Sequence, residues 1–502
     1  MEHGDKNYLI IQEVLKELVK HGDIEIKNVD VTKKYKLDEK PKNKRVIKNK
    51  KKKPVEKKQY TMNDLVEKGD IEIKNKNLIS NNQNSNTENS EMENKKQYKI
   101  AETFVGCGGA HLGFKNNGFK TSFVNDVWDE SMITLKKNFP ELDDNQVYLC
   151  DIKELNKENF IKNNSDIDDL DVLFGGVVCC GFSMAGNRNP FDERNYLYLE
   201  QMRLVKELNP KISIIENVKG FMSMKLVEKE DHLEEIVVKY KELLKENKSL
   251  NGEKSSRRKA NKTYEDITKK VKENDIKLKE IIKDIESKQY NVLERIKSIY
   301  KDLGYNVYSK VLNASDYGSY TKRERLILVA VRNDIKKEYN FPVPTHSDED
   351  DSLPNKNVLN DALNLLDING INSLENDIDN QPMKHNKKTV DRFSRIPEGK
   401  SIKDVIDELP EELKISSFFS RGNTQRLDRN KCVPTLVPGH SNFPIHPWEH
   451  RSITVREAGL ITGFPNDFKF HGYHGSRCTQ IGNAVPVHLS DAIAKSVIEI
   501  LQ

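Results

Sequence analysis

Residues 174–190 read FGGVVCCGFSMAGNRNP and set two adjacent cysteines, Cys179 and Cys180, between paired valines and Gly-Phe-Ser. A cysteine thiolate can open covalent catalysis on an electrophilic carbon. The pair could equally be two small apolar residues packed beside a strand. A second candidate lies upstream, where Phe104-Val105-Gly106-Cys107-Gly108-Gly109 forms a glycine turn and Asp126 follows Gly106 by 20 residues. Glycines let a backbone approach a ligand closely, and an acidic group at that spacing suits the hydroxyl pair of a ribose. A dinucleotide fingerprint would place Gly where the chain has His111, so a nucleoside-type ligand without a pyrophosphate fits better. Alone, such a turn could be purely structural. Arg323 and Arg325, two apart in KRER, fall on one face of a strand, and Glu216 closes the apolar run IIENV. In isolation, residues of these types are more often solvated surface groups.

These groups need a scaffold, and from Tyr98 onward apolar strands alternate with helical patterns. YKIAETFV, KTSFVNDV, QVYLC, DVLFGGVV and KISIIENV read as strands, with GCGGAHLGF a turn opening a helix. Such alternation predicts a doubly wound α/β sheet with its ligand at the carboxyl ends of the strands. Hydrophobic residues make up 36% of the 502, and the mean hydropathy is -0.75, so part of the chain is not core. Six cysteines, no apolar leader and no apolar run of about 18 residues predict a soluble, cytoplasmic protein without a disulfide framework. The net charge of +4 is small, so affinity for nucleic acid must come from local clusters of Lys and Arg.

One cluster, residues 41–58, holds ten Lys/Arg against one Glu and reads as a disordered basic linker. On either side, LVKHGDIEIKN from Leu18 recurs as LVEKGDIEIKN from Leu65. Each copy predicts a short helix breaking at Gly before a period-2 strand, together paired small modules for docking, oligomerisation or DNA binding. Residues 80–96 form a polar tether.

The blocks FVGCGG, CDI, GGVVCCGFSMAGNRNPFDERNYL, ENV, YTKRER, RSITVREAGLITGFP and QIGNAVP follow one another from Tyr98 to the C-terminus. In that order they resemble the signature blocks of the C5-cytosine-specific DNA methyltransferases of bacterial restriction-modification systems. The resemblance implies an α/β fold: a Rossmann-like S-adenosylmethionine-dependent methyltransferase domain with a smaller target-recognition domain. To these the chain adds a helical-hairpin insertion and a partly disordered N-terminal extension. The expected divisions are an extension over 1–97, a catalytic domain over 98–340 with its insertion at about 225–289, a target-recognition domain over 341–449, and a C-terminal return over 450–502.

The same resemblance implies the chemistry. Members add a cysteine thiolate to C6 of a flipped cytosine, which makes C5 nucleophilic toward the methyl group of S-adenosylmethionine. Cys179 takes that role because Gly175-Gly176 and Gly181-Phe182-Ser183 fix the register, and Cys180 is its neighbour. Glu216 would donate a proton at N3, favoured by burial. Asn217 would brace its turn, and Arg323 and Arg325 would hold the thiol loop and the base's O2. For the cofactor, Phe104, Gly106, Cys107, Gly108 and Gly109 line the turn, Asp126 takes the ribose, and Val127 packs against adenine. Asp151 and Ile152 would take the adenine amine and face, while Leu197, Asn483 and Val485 close the pocket. The last helix must then fold back onto the first strand. Ser183, Arg194, Thr435, Arg257 and Arg258 would contact DNA. The implied partners are double-stranded DNA and a restriction endonuclease acting on the same sequence. The resemblance implies no membrane and no metal, and a monomer on DNA.

Two departures stand out. The family's Pro-Pro-Cys-Gln is here Val177-Val178-Cys179-Cys180, and its Gln before the arginines is Thr321. Valine keeps an extended preference but restores an N–H, and Cys180 lacks the amide. These changes leave open a catalytically impaired DNA-binding relative, and adjacent thiols could be oxidised. A tRNA-methylating branch is the other rival; it would show a shorter target region with a Cys-Phe-Thr signature, and here Cys432 sits in KCV.

In the insertion, Leu233, Ile236, Tyr240 and Leu243, and then Tyr264, Ile267, Val271, Asn274, Leu278, Ile281 and Ile285, keep a 3-4 spacing. They predict an antiparallel helical hairpin with KSLNGEKSSRRKANK as its basic tip, either a spacer or a contact to DNA backbone. The loops SFFSRGNTQRLDRNK and PTLVPGHSNFPIHPWEH of the variable region suit base edges and phosphates.

Overall fold

The computed structural model describes residues 24–26, 71–73, 97–163, 166–177, 191–227, 234–415, 422–439 and 442–502. The chain divides into two units, Met1–Gln97 and Tyr98–Gln502. In the first, strands β1 (Ile24–Ile26) and β2 (Ile71–Ile73) pair antiparallel, with Ile24 opposite Ile73 and Ile26 opposite Ile71. The strand halves of the two repeats thus meet in one ribbon, each satisfying the backbone groups of the other. The repeats' helical halves, the basic run and the polar tether lie outside the described residues.

In the second unit the inner strands are buried at nearly every position, as strands covered on both faces must be. They and their helices follow in order: β3 (Lys99–Thr103), α1 (Gly109–Asn116), β4 (Lys120–Asp126), α2 (Asp129–Asn138), β5 (Val147–Leu149), α3 (Lys157–Lys162), β6 (Val172–Gly175), α4 (Tyr198–Leu208) and β7 (Ile212–Val218). The insertion comprises β8 (Lys225–Val227), α5 (Glu234–Lys259), α6 (Glu265–Asp284) and β9 (Gln289–Asn291). Then come α7 (Val292–Asp302), β10 (Tyr305–Asn313), β11 (Thr321–Lys322) and β12 (Glu324–Arg332). The rest holds α8 (Leu359–Leu363), α9 (Lys387–Ser394), β13 (Val433–Pro434), α10 (Val455–Thr462), α11 (His474–Asn483) and α12 (Val487–Leu501).

The seven-stranded sheet runs β10-β12-β7-β6-β3-β4-β5, and β12 alone runs opposite to the other six strands. Strand order reverses between β3 and β6, the switch point at which α/β sheets bind ligands. Period-2 alternation sends neighbours to opposite layers. Leu173, Ile215 and Leu328 pack on one side with Phe160, Met202 and Ile296. Phe174, Ile214 and Val329 pack on the other with Phe114, Leu489, Ile493 and Val497. The last helix therefore lies against α1, as the order of the signature blocks demands.

The hairpin forms as its spacing predicts, but its tip is shorter. Tyr240, Ile281 and Ile285 fill its base, and the buried Asn247 and Asn274 reach across to Asp275 (2.9 Å) and Glu246 (3.0 Å). KSLNGEKSSRRK is helical, because nothing in it breaks a helix except Gly252, which has open space around it. The stop comes at Asn261, left-handed at φ 53°, where Lys262 N–H closes back to Arg257 O (2.9 Å).

Within the variable region a small core of Phe393, Ile396, Ile402, Val405, Leu409, Leu413 and Ile445 carries little regular structure. Its polar centre is the buried Arg426. The guanidinium donates to the carbonyls of Ile396 (2.6 Å), Phe393 (2.6 Å), His446 (2.6 Å) and Glu449 (2.7 Å). A buried charge persists only when its donors are met in this way.

Candidate active site

Four parallel strands bring their carboxyl ends to one edge of the sheet. β3 runs into the glycine turn, β4 ends at Asp126, β6 ends at Gly175, and β7 carries Glu216 and Asn217. Phe104 sits in the left-handed region at φ 54°, a strained place for a phenylalanine. Gly106 follows at φ 57°, with open space where a side chain would begin. Gly109 is the opposite case, since a Cβ there would lie 2.4 Å from Val485 O. The C-terminal block thus locks one side of the turn, while Gly106 leaves a cradle.

Asp126 is bound into this turn. Its Oδ2 accepts from Gly106 N–H (2.9 Å) and its Oδ1 from Trp128 N–H (2.9 Å). Burial pushes its carboxyl above the ordinary carboxylate range, against the pull of the N–H groups of Trp128, Gly106 and Val127. Val127, beside it, is 62% exposed. Open space at Gly106, acceptors on Asp126, a bare apolar face on Val127 and an α1 amino terminus free of acids fit S-adenosylmethionine. Cys107 contributes backbone alone, because its buried thiol faces Gln480 O (3.7 Å).

Asp151 caps the turn after β5 by accepting from Lys153 N–H (3.0 Å), and Ile152 is buried in the core. Leu197 is half-buried at the start of α4. Asn483 is exposed at the end of α11, and Val485 is buried.

At the adjacent strand end, Arg325 Nε lies 2.7 Å from Glu216 Oε1, and both side chains are nearly buried. A Cβ at Gly176 would lie 4.0 Å from the other carboxylate oxygen. Asn217 Nδ2 donates to Val177 O (3.1 Å). Cys179, Cys180 and Ser183 follow immediately and lie outside the described residues.

Arg323 and Arg325 take different partners. β11 pairs with β13, and the chain turns where Arg323 N–H donates to Thr321 O (3.0 Å) before β12 begins. The Arg323 guanidinium goes instead to the carbonyls of Leu436 (3.1 Å) and Gly482 (2.8 Å). Arg257 is engaged within the hairpin by Glu253 (2.6 Å) and Asp266 (3.1 Å). Arg258 is exposed. Arg194 is exposed and paired with Asp192 (2.6 Å), and Thr435 is exposed with its hydroxyl on Lys322 O (2.9 Å).

Two supports escaped the sequence reading. Gln201 Oε1 accepts from Thr103 Oγ1 (2.6 Å), and its amide lies where a Cβ at Gly175 would sit, so it clamps the ends of β3 and β6. His111, the departure from a dinucleotide fingerprint, donates to or accepts from buried Glu102 (2.5 Å) and stands edge-on to Phe139. Separations of 98 and 9 residues leave no periodic signal for either pair.

The four described cysteines are buried. Burial pushes Cys107 and Cys478 up to about 12 and Cys432 up to about 11. At pH 8 a thiol of pKa about 12 is about one part in ten thousand thiolate. Iodoacetamide on the native chain, mapped by mass spectrometry, is therefore expected to spare Cys107, Cys432 and Cys478 and to label them in urea. Native labelling at the denatured rate would contradict these burials.

The family model of the C-5 cytosine-specific DNA methylases matches residues 98–244 and 285–499. Among curated proteins, the type II methyltransferase M.Eco47II of Escherichia coli is 30% identical over 414 residues, 80% of this chain and 79% of that protein. M.DdeI of Desulfomicrobium norvegicum is 26% identical over 440 residues, 79% and 88% of the two chains. A solved prophage-encoded DNA modification methyltransferase of E. coli shares the fold, with a TM-score of 0.53 at 21% identity over 81% of this chain and 99% of that one.

Proposed function

The chain belongs to the C-5 cytosine-specific DNA methylase family, and on that premise we propose that Cys179, Glu216 and Arg325 carry its transfer of a methyl group to C5 of cytosine in double-stranded DNA. Cytosine C5 is a poor nucleophile. The Cys179 thiolate adds to C6 of the flipped base, and the electron density it pushes into the ring is met by a proton at N3 from Glu216. Arg325 holds Glu216 by one oxygen at 2.7 Å, which fixes the direction of the other. S-adenosylmethionine, held by the glycine turn, Asp126 and Val127, supplies the electrophilic methyl group when bound. A solvent base then takes the C5 proton, the thiolate leaves C6, and N3 returns its proton to Glu216, which restores the ring.

The observation that supports this reading is the Glu216–Arg325 pair beside Gly176, three residues before Cys179. Val177, where the family carries proline, is buried, and its carbonyl is held by Asn217, so the approach to Cys179 is braced without the ring. We take residues 341–449 as the recognition region, and a type II restriction endonuclease of the same specificity as the partner in the bacterial cytoplasm. The protein acts as a monomer on DNA. Among the described residues no helix is long and apolar enough to cross a membrane.

Long duplex DNA made with 5-fluorocytosine in place of cytosine tests the reaction without knowledge of the target sequence. Fluorine cannot leave C5 as a proton, so with S-adenosylmethionine present the chain is expected to form an adduct that survives denaturant. No adduct would favour a catalytically impaired relative. On ordinary DNA, Glu216→Gln is expected to slow methylation by about 10²-fold or more, the usual contribution of a positioned acid. An unchanged rate would remove Glu216 from the mechanism.

A further inference from the structure

We propose that the distal half of the α5–α6 hairpin is a DNA-binding arm that grips duplex backbone flanking the target site, an inference that rests on DNA being the substrate. Charge is distributed unevenly along it. Residues 245–272 carry ten Lys/Arg against four Asp/Glu, whereas residues 234–244 and 273–284 at the base carry five against seven. Three of the four distal acids are already engaged: Glu253 and Asp266 by Arg257, and Glu246 by Asn274. Lys248, Arg258, Lys259, Lys262, Lys269 and Lys270 are exposed and have no carboxylate partner among the described residues. Six unneutralised cations at one end of a helical pair suit a polyanion.

The arm also starts in the right place. β8 begins seven residues after β7, the strand that carries Glu216. Phe191, the first described residue beyond the Cys179 segment, packs in the hairpin's base against Tyr240, with ring centroids 5.0 Å apart, and beside Ile281 and Ile285. Lys241 pairs with Glu193 (3.6 Å), and Tyr196 Oη donates to Val227 O (2.7 Å). The root thus follows the strand that carries Glu216 and is fastened to the segment that holds Phe191, Glu193 and Tyr196. The 26 residues of α5 span about 39 Å at about 1.5 Å each. That is about 11 base pairs of duplex at about 3.4 Å each.

A protein partner fits less well. The exposed large apolar residues of the hairpin, Val238 and Ile276, both lie in its basal half, so the charged half lacks the apolar centre that protein interfaces use. The match to the family model stops at residue 244 and resumes at 285, so the arm lies outside what the family model describes.

Binding of a duplex of about 40 base pairs of arbitrary sequence to the full chain, followed by fluorescence anisotropy between about 50 and 200 mM salt, tests the arm. Replacing Arg258, Lys259 and Lys262 together by glutamine is expected to flatten the slope of log affinity against log salt by roughly 2 to 3, at about 0.9 per lost phosphate contact. The basal triple Lys239→Gln, Lys277→Gln and Lys279→Gln removes the same charge and is expected to leave the slope unchanged. Thermal melting confirms that both variants fold. Equal slopes for the distal variant and the native chain would overturn the proposal. Equal flattening in both variants would also overturn it, since net charge and not the arm would then be responsible.

Discussion

Cys179→Ser is expected to abolish methyl transfer, by about 10⁴-fold or more, as loss of a covalent nucleophile does, while Cys180→Ser keeps most of the activity. The register behind this rests on the strand that delivers the pair. β6 is hydrogen-bonded between β3 and β7, with Gly175 opposite Thr103 and Ile215, and it cannot slip without breaking both ladders. Gly175 is held further by Gln201, whose amide occupies the space of its missing side chain. The Val177 carbonyl is fixed by Asn217, next to Glu216. Tritiated methyl incorporation into bulk DNA measures the outcome without knowledge of the recognition sequence. Loss of activity in Cys180→Ser with retention in Cys179→Ser would overturn the assignment.

Arg456→Ala is expected to destabilise the protein by about 3–5 kcal/mol, because it leaves buried carboxylates without their cation. Arg456 is 2% exposed on α10, which lies in the C-terminal return. Its Nε is 2.7 Å from Asp377 Oδ2, and its NH2 is 3.5 Å from Asp379 Oδ2. Arg477 on α11 binds Asp379 at 2.6 Å, and Phe470 N–H adds a third donor to that carboxylate. Burial would raise the Asp377 carboxyl, but the hydrogen bond and charge of Arg456 outweigh it and hold it below the ordinary range. For Asp379 burial prevails, and its carboxyl is pushed up. The network fastens residues 372–380 of the variable region to the helices that follow it. Urea unfolding measures the loss. Adding Asp377→Leu to Arg456→Met is expected to recover part of the stability, since replacing both partners costs less than stranding one. A change below about 1 kcal/mol for Arg456→Ala would show that the pair carries little.

What the sequence by itself determined is local. Strand positions, the glycine turn, the spacing to Asp126 and the seven-residue rhythm of the hairpin are written in neighbouring residues, because backbone geometry repeats every two or 3.6 positions. The ordered blocks carried the family, with Glu216 and Arg325 among them. Tertiary structure decided the partners. The two IEI triplets are legible as a repeat, but only folding pairs Ile24 with Ile73. The spacing of Arg323 and Arg325 is legible, but only folding gives Arg325 to Glu216 and Arg323 to the carbonyls of Leu436 and Gly482, 113 and 159 residues away. The basic tip became helix because no residue before Asn261 stops it. Gln201 on Thr103, His111 on Glu102 and Arg426 in its cage of carbonyls had no sequence signature at all. A buried polar group must find a partner or its desolvation opposes folding. Which partner it finds depends on which distant segments the sheet and its cores bring together, and no local period records that.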